Sequence, residues 1–249
     1  MNVMIFDTET TSLDKPFCYN IGYVILNVET EEKLATRDYV VEQVWHNLPL
    51  FSSAYYANKR PLYVNRMRSR AVIMDKFGYI CRQMIRDIKQ YEVAHAYAYN
   101  SPFDEKVFDF NCDWYKCSNP FDTVQVHDIR GYAHQFIVND EYIAYCEEHN
   151  LFTESGNYSS TAEAIYRYIS GKDDFDEEHT ALSDSIIETE ILLATMYKGA
   201  DITIDEKVYR SIERKVEKTL HIRTAEQTDY YFKYEKIRIN REKTEITLR

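Results

Sequence analysis

The sequence predicts an α/β domain, a mixed five-stranded sheet with helices on its faces, followed by a small C-terminal helix and β-hairpin. Three observations carry that expectation. Val3 to Phe6 is a short, unbroken apolar run of the kind that a strand buried on both faces requires. Two strand-like segments follow it, and the second half of the chain turns to helical spacing. At 249 residues the chain lies close to the ~250–300 residues at which a single hydrophobic core stops growing, so one main domain is expected. We divide it into 1–200 and a C-terminal extension, 201–249.

The elements can be justified in order. The apolar run ends in carboxylates at Asp7 and Glu9. CYNIGYVILNVE and ATRDYVVEQV, separated by the polar Thr30-Glu31-Glu32-Lys33, read as a β-hairpin. From about His46 to Gln90 the spacing is helical, and Phe77, Ile80, Cys81, Met84, Ile85 and Ile88 form one core-facing stripe. A fourth strand lies in EVAHAYAY and a helix opens at Ser101-Pro102, with serine as N-cap, proline first and Asp104 third. A fifth strand lies around PFDTVQV. Helices then fill IVNDEYIAYCEEH, STAEAIYRYIS and TALSDSIIETEILLATMYK. The last fifty residues carry a helical piece around DEKVYRSIERKVEK and a hairpin of YYFKYEKIRI with TEITLR, turning at Asn240-Arg241-Glu242-Lys243. Its charges alternate rather than cluster, which favours a simple sheet extension.

Composition limits the function. The balance of 30 Lys and Arg against 41 Asp and Glu, net -11, lacks the basic footprint of a protein that grips duplex through its phosphates. That counts against a pure nucleic-acid-binding module. It does not count against an enzyme whose carboxylates hold divalent cations, because the loaded ions present positive charge to a phosphate. Five cysteines, an odd number, do not suggest a disulfide framework. No segment approaches the ~20 apolar residues of a membrane span, and no leader pattern opens the chain. A soluble, cytoplasmic protein is expected, with no membrane partner.

The chemistry-bearing residues come in three segments. Asp7 and Glu9 in MNVMIFDTETTSL alternate along a strand and so point to one face, where both can reach one cation. Thr10-Thr11-Ser12 follow, small residues whose backbone can approach a ligand. Asp104 in NSPFDEKVF suits a helix start, where capping alone accounts for it and a metal role is compatible. His179 and Asp184 in EEHTALSD are five apart and do not share a helical face. The histidine therefore precedes the helix, Thr180 caps it, and Asp184 lies one turn inside. Four acids and a histidine are what a two-metal phosphodiester-cleaving site needs.

FDTETTSL, the Asn100-to-Asp104 stretch and HTALSD together resemble the three motifs of the DEDD exonucleases, in the variant whose fifth residue is a histidine five positions before the last aspartate (DEDDh). Proofreading epsilon subunits, ribonuclease T and oligoribonuclease belong to that group, and the chain is also similar to its compact phage-encoded members. The match runs in order from about Asn2 to Lys198. The resemblance implies a ribonuclease H-like three-layer α/β/α fold and a 3′→5′ exonuclease acting on single-stranded 3′ ends, with DNA ahead of RNA. It implies two divalent cations, Mg²⁺ or Mn²⁺, and catalytic Asp7, Glu9, Asp104, His179 and Asp184. Asp7 would bridge both ions, Glu9 and Asp184 complete the first, and Asp104 hold the second directly or through water. His179 would take the proton of the attacking water. Substrate contacts are expected at Asn100 and Phe103 and at backbone N–H groups of Thr10, Thr11 and Ser12. Two positions depart from the pattern: Ser12 replaces the common glycine, and Tyr99 a histidine.

Other readings stay open at this point. The motifs do not report a 2′-hydroxyl, so an exoribonuclease remains an alternative. A weakly active subunit attached to a polymerase or replication complex is another. Cys112, Cys117, Cys146 and His149, spaced C-x4-C and C-x2-H, form a loose zinc pattern beside the plainer reading of buried thiols. Most of the 22 tyrosines and 12 phenylalanines belong to the core. Phe103, Tyr55, Tyr56, Lys59 and Arg60 are the ones expected near substrate.

Overall fold

Strand β1 (Asn2–Thr10) pairs antiparallel with β2 (Cys18–Asn27), and β2 with β3 (Glu32–Val41). The computed structural model describes residues 1–210, 219–223, 229–233 and 245–248. β1 runs past its apolar core because it stays in register with β2 from Asn2 opposite Asn27 to Glu9 opposite Asn20. Asp7 and Glu9 therefore sit inside a strand, with backbone directions fixed by the ladder. The chain continues through α1 (Glu42–Trp45), α2 (Leu48–Phe51), α3 (Arg60–Arg68), β4 (Ile73–Asp75) and α4 (Phe77–Gln90). Next come β5 (Val93–Ala98), α5 (Ser101–Tyr115), β6 (Gln125–Asp128), α6 (Ile129–Ile137) and α7 (Asp140–Glu148). Helices α8 (Ala162–Ser170), α9 (Ala181–Tyr197) and α10 (Lys207–Arg210) follow.

The sheet has six strands in the order β4-β3-β2-β1-β5-β6, not the five expected. The extra strand, β4, lies in the stretch read as helical, and three residues are too few to show a period of two. It runs parallel to β3, as β5 does to β1 and β6 to β5. One face of the sheet packs Met4, Phe6 and Tyr23 against α4 and α5 through Phe77, Ile80, Met84 and Phe108. The other packs Val3, Ile5 and Tyr97 against α6 to α9 through Tyr132, Phe136, Ile165 and Ile191. This is a three-layer α/β/α arrangement, and β1, buried on both faces, is its axis. Among the described residues no helix is long and apolar enough to cross a membrane.

Several local expectations shift. β6 begins at Gln125, because Asn119 to Val124 close turns of their own. The N-cap of α5 is Asn100, in the left-handed region at φ 65°, so Ser101 is the first helical residue and Asp104 the fourth. The cysteine–histidine quartet is not assembled. Cys146 is buried in the α6–α9 layer and His149 packs on the Tyr145 ring at 4.2 Å, whereas Cys112 belongs to the opposite layer. The boundary expected after residue 200 falls inside the first compact unit, Met1–Ile212, since Tyr97 and Tyr132 both donate to the carbonyl of buried Ile202.

The second unit, Glu213–Arg249, holds β7 (Thr219–Arg223), β8 (Asp229–Lys233) and β9 (Glu245–Leu248) in an antiparallel sheet ordered β8-β7-β9. Among the described residues, β8 and β9 each pair with β7. The expected turn at 240–243, and the helical piece beyond Arg210, lie outside the described residues.

Candidate active site

The carboxylate cluster is built around one close approach. Asp7 lies across the ladder from Gly22, and the first turn of α9 rests on that glycine. A Cβ there would fall 2.1 Å from the Leu182 nitrogen and 2.3 Å from the Ala181 carbonyl carbon, so only glycine lets the helix sit this low. Ser185 Oγ donates to the Gly22 carbonyl at 3.0 Å. Asn20 ties the same turn to the sheet: its Oδ1 accepts from Ala181 N–H (2.8 Å) and Tyr63 O–H (2.9 Å), and its Nδ2 donates to Asp38 (2.7 Å). With α9 seated, carboxylate oxygens of Asp7, Glu9 and Asp184 all lie within 4.8 Å of one another.

Asp104 approaches from the helix on the other layer. Its Oδ1 accepts from Thr8 O–H at 2.6 Å, and the carboxylate is 2 % exposed. Thr8 alternates with Asp7 and Glu9 on β1, so one strand places acids toward α9 and the hydroxyl that holds Asp104 toward α5. The carboxylate also accepts from the backbone N–H groups of Thr8 and of Asp104 itself, so its place at the helix start and this contact coexist.

Too many negative charges converge here for them to be compatible with one another. Asp7 Oδ2 and Glu188 Oε2 are shielded from solvent and have no hydrogen-bond partner among the described residues. Burial, and then the neighbouring carboxylates Asp104, Glu188 and Asp184, push Asp7 well above the usual carboxylate range. Burial and then Asp184 do the same to Glu9, against the Tyr19 hydroxyl that donates to it at 3.3 Å. Burial pushes Asp104 and Asp184 up to about 7, and burial followed by Asp184 pushes Glu177 up to about 8. Orphaned, buried carboxylate oxygens are costly unless a cation meets them. The donors are all hard oxygens, which suits Mg²⁺ or Mn²⁺.

His179 stands at the edge of this cluster on the loop before α9, with φ 49°, a left-handed conformation that a non-glycine residue holds only when its surroundings impose it. The surroundings come from the segment between β3 and β4. Tyr56 stacks on the imidazole at 4.5 Å between centroids and 14° between planes. Lys59 donates to the Glu178 carbonyl. Arg66 Nη2 donates to both carboxylate oxygens of Glu178 (2.8 and 2.7 Å), and its Nη1 donates to Thr180 Oγ1 at 3.0 Å. The imidazole Nδ1 is 3.5 Å from Glu177, and ligand atoms of Glu177, His179 and Asp184 lie within 4.8 Å of one another. Burial and then Lys59 lower the His179 pKa, so the ring is neutral, and able to accept a proton, near neutral pH.

A cleft of about 320 Å³ opens beside Glu9, lined by Thr10, Ser12, Tyr55, Tyr56 and Phe103. Thr11 also borders it, but its side chain is buried and its N–H already donates to the Phe17 carbonyl at 3.0 Å, so it is not a free donor as expected. Asn111 and Lys106 on α5 fasten this loop through the Pro16 and Leu13 carbonyls. Asn100 lies away from the cleft lining, its N–H donating to Asp128 Oδ1 at 2.8 Å. Arg60 instead covers the Trp45 ring at 4.3 Å.

Sequence reasoning missed Glu188, Glu177 and Arg66. Glu188 was findable, because it lies one turn after Asp184 on the same face of α9. Nothing in the local pattern singles out Glu177 or Arg66, which matter through contacts made across the chain.

No protein-family model and no curated protein sequence matches the chain. Among solved structures, it is similar to a 3′-exonuclease described in 3′-end specific recognition of a histone mRNA stem-loop. That match has a TM-score of 0.56 and 16% identity, over 80% of this chain and 82% of the other. A full-length 3′-exonuclease aligns with a TM-score of 0.54 and 17% identity, over 80% of this chain and 61% of that one. The nuclease domain of 3′hExo bound to rAMP, described as a DEDDh family member, aligns with a TM-score of 0.47 and 16% identity, over 80% and 92%. At these identities the likeness to the first two establishes the fold.

Proposed function

We propose that the chain is a metal-dependent 3′→5′ exonuclease that hydrolyses the terminal phosphodiester bond of single-stranded nucleic acid. The observation that carries this reading is the convergence of Asp7, Glu9 and Asp184 within 4.8 Å, with a buried Asp7 oxygen that has no partner among the described residues, beside a neutral histidine and an open cleft. Asp7, Glu9 and Asp184 would hold one divalent cation, and Asp104, with Asp7, would hold a second. Bound there, the cations would supply positive charge for the phosphate and a lowered pKa for a bound water. His179 takes the proton of the attacking water. Its Nδ1 is turned to Glu177, which leaves Nε2 as the acceptor. Tyr55 and Phe103 line the cleft and would offer the terminal nucleoside aromatic faces, while the Tyr56 ring stacks on His179.

The test uses single-stranded DNA and RNA oligomers labelled at the 5′ end and incubated with Mg²⁺, Mn²⁺ or chelator. A ladder that shortens from the 3′ end with metal, and vanishes with chelator or in Asp7→Ala, is expected, and the faster sugar class identifies the substrate. Near-normal turnover by Asp7→Ala would overturn the reading. Negligible turnover by the intact chain without a partner would favour the subunit alternative.

A further inference from the structure

Three cysteines outside the carboxylate site converge from separate parts of the chain. Cys81 comes from α4, Cys112 from the last turn of α5, and Cys117 from the loop after it, and their sulfurs all lie within 4.8 Å of one another. Cys81 is in hydrogen-bond contact with both of the others. All three are free thiols. We propose that Cys81, Cys112 and Cys117 form a zinc site, three thiolates closing on one Zn²⁺ with the fourth position supplied from solvent.

Geometry supports the assignment. Around tetrahedral zinc, Zn–S bonds of about 2.3 Å place ligand sulfurs about 3.8 Å apart, so small side-chain rotations close this set. The backbone is arranged for it. Lys116 ends α5 at φ 53°, a left-handed residue that turns the chain so that Cys117 N–H donates back to the Cys112 carbonyl at 3.1 Å. Gly78, one turn before Arg82 on α4, leaves the room that Cys117 occupies: a Cβ there would lie 3.3 Å from Cys117 Cβ. Cys81 and Cys112 are buried, whereas Cys117 is half-buried and borders a cavity of about 410 Å³. The cavity gives an ion a way in and room for a solvent ligand.

Charge is also accounted for in part. Three thiolates and one Zn²⁺ leave a single negative charge, and Arg82, which lines the cavity, favours the Cys117 thiolate, whereas Lys116 Nζ is paired with Asp113 at 2.8 Å. Thiolate donors select Zn²⁺ over the hard cations suited to the carboxylates, so the two sites sort their metals by donor chemistry. Such a site would pin the C-terminal end of α5, the helix whose opposite end carries Asp104.

The inference does not depend on the nuclease reading, and its test is spectroscopic. The reduced, metal-free full chain is titrated with Co²⁺ and then Zn²⁺. One equivalent of Co²⁺ should give thiolate charge-transfer absorption with the intense visible bands of a tetrahedral complex, and Zn²⁺ should bleach both. Asp7→Asn should leave these bands intact, because oxygen-bound Co²⁺ has no thiolate transition, while Cys117→Ser should abolish them and leave turnover unchanged. A second measurement needs no variant: Zn²⁺ should slow maleimide labelling of Cys117 in the wild-type chain at least tenfold. Absence of the charge-transfer band at one equivalent of Co²⁺, persistence of it in Cys117→Ser, or labelling at the same rate with and without Zn²⁺ would each overturn the proposal.

Discussion

The two halves of the candidate site are held by different means. Asp7, Glu9 and Asp184 stand on β1 and α9, elements fixed by a complete strand ladder and by a helix lowered onto Gly22. His179 stands on a loop in a left-handed conformation, held from outside by Tyr56, Lys59 and Arg66. The acids are positioned by the core and the histidine by a brace. Damage to the core should therefore remove cation binding and turnover together, while damage to the brace should slow turnover and leave cation binding alone.

The largest effect is expected at Gly22. Gly22→Ala drives a methyl group into the backbone of Ala181 and Leu182, which cannot swing aside as a side chain would. Overpacking costs about 1–3 kcal/mol where side chains can adjust, and more is expected here. The variant should lose exonuclease activity, Mg²⁺-induced stabilisation and several degrees of Tm together. An active Gly22→Ala protein would show that α9 can lift without separating Asp184 from Asp7.

His179→Ala comes next, with turnover slowed by on the order of 10²–10⁴, the usual worth of a general base. Its thermal shift with Mg²⁺ should match the wild type, and a lost shift would mean that the brace and the core are one unit.

The acid cluster itself sets a pH dependence. Asp104 and Asp184 titrate at about 7 when folded against 3.8 ordinarily, so between those values the folded state binds more protons than the unfolded one. Stability of the chelated protein must then fall as pH rises through that window, the reverse of a salt-bridged carboxylate. Melting curves with chelator and with Mg²⁺ should diverge as pH rises. A constant gap across the window would show that the cluster carries no such penalty.

The smallest effect is expected from the brace. Tyr56→Ala exposes His179 to water, which relaxes its lowered pKa upward, and only the neutral ring accepts a proton. The acid limb of the kcat/KM profile should move to higher pH, with turnover near neutrality down by on the order of tenfold, a usual cost of losing a supporting contact. An unmoved limb would mean that Lys59 and Arg66 suffice.

What could be read from the sequence follows the same division. β1, the first hairpin, the stripe on α4 and the Thr180 cap are local patterns, and each appears where period and capping place it. Glu188 is local too and was overlooked although it lies one turn beyond Asp184. β4, by contrast, is three residues whose strand character comes only from pairing with β3. The brace is equally illegible, because Arg66 meets Glu178 more than a hundred positions away and no periodicity links them. The thiol trio is illegible for the same reason. Cys112 and Cys117 were visible as a pair, but their third member came from α4 rather than from Cys146.

The segment that braces His179 leaves β3 at Val41 and returns as β4 alongside it, Val41 facing Asp75. Both of its ends are stitched to one strand, and between them it carries Tyr55 and Tyr56 to the cleft. Under the proposed reading, a nucleic-acid end would enter beside these two rings, on a span anchored to the sheet at both ends.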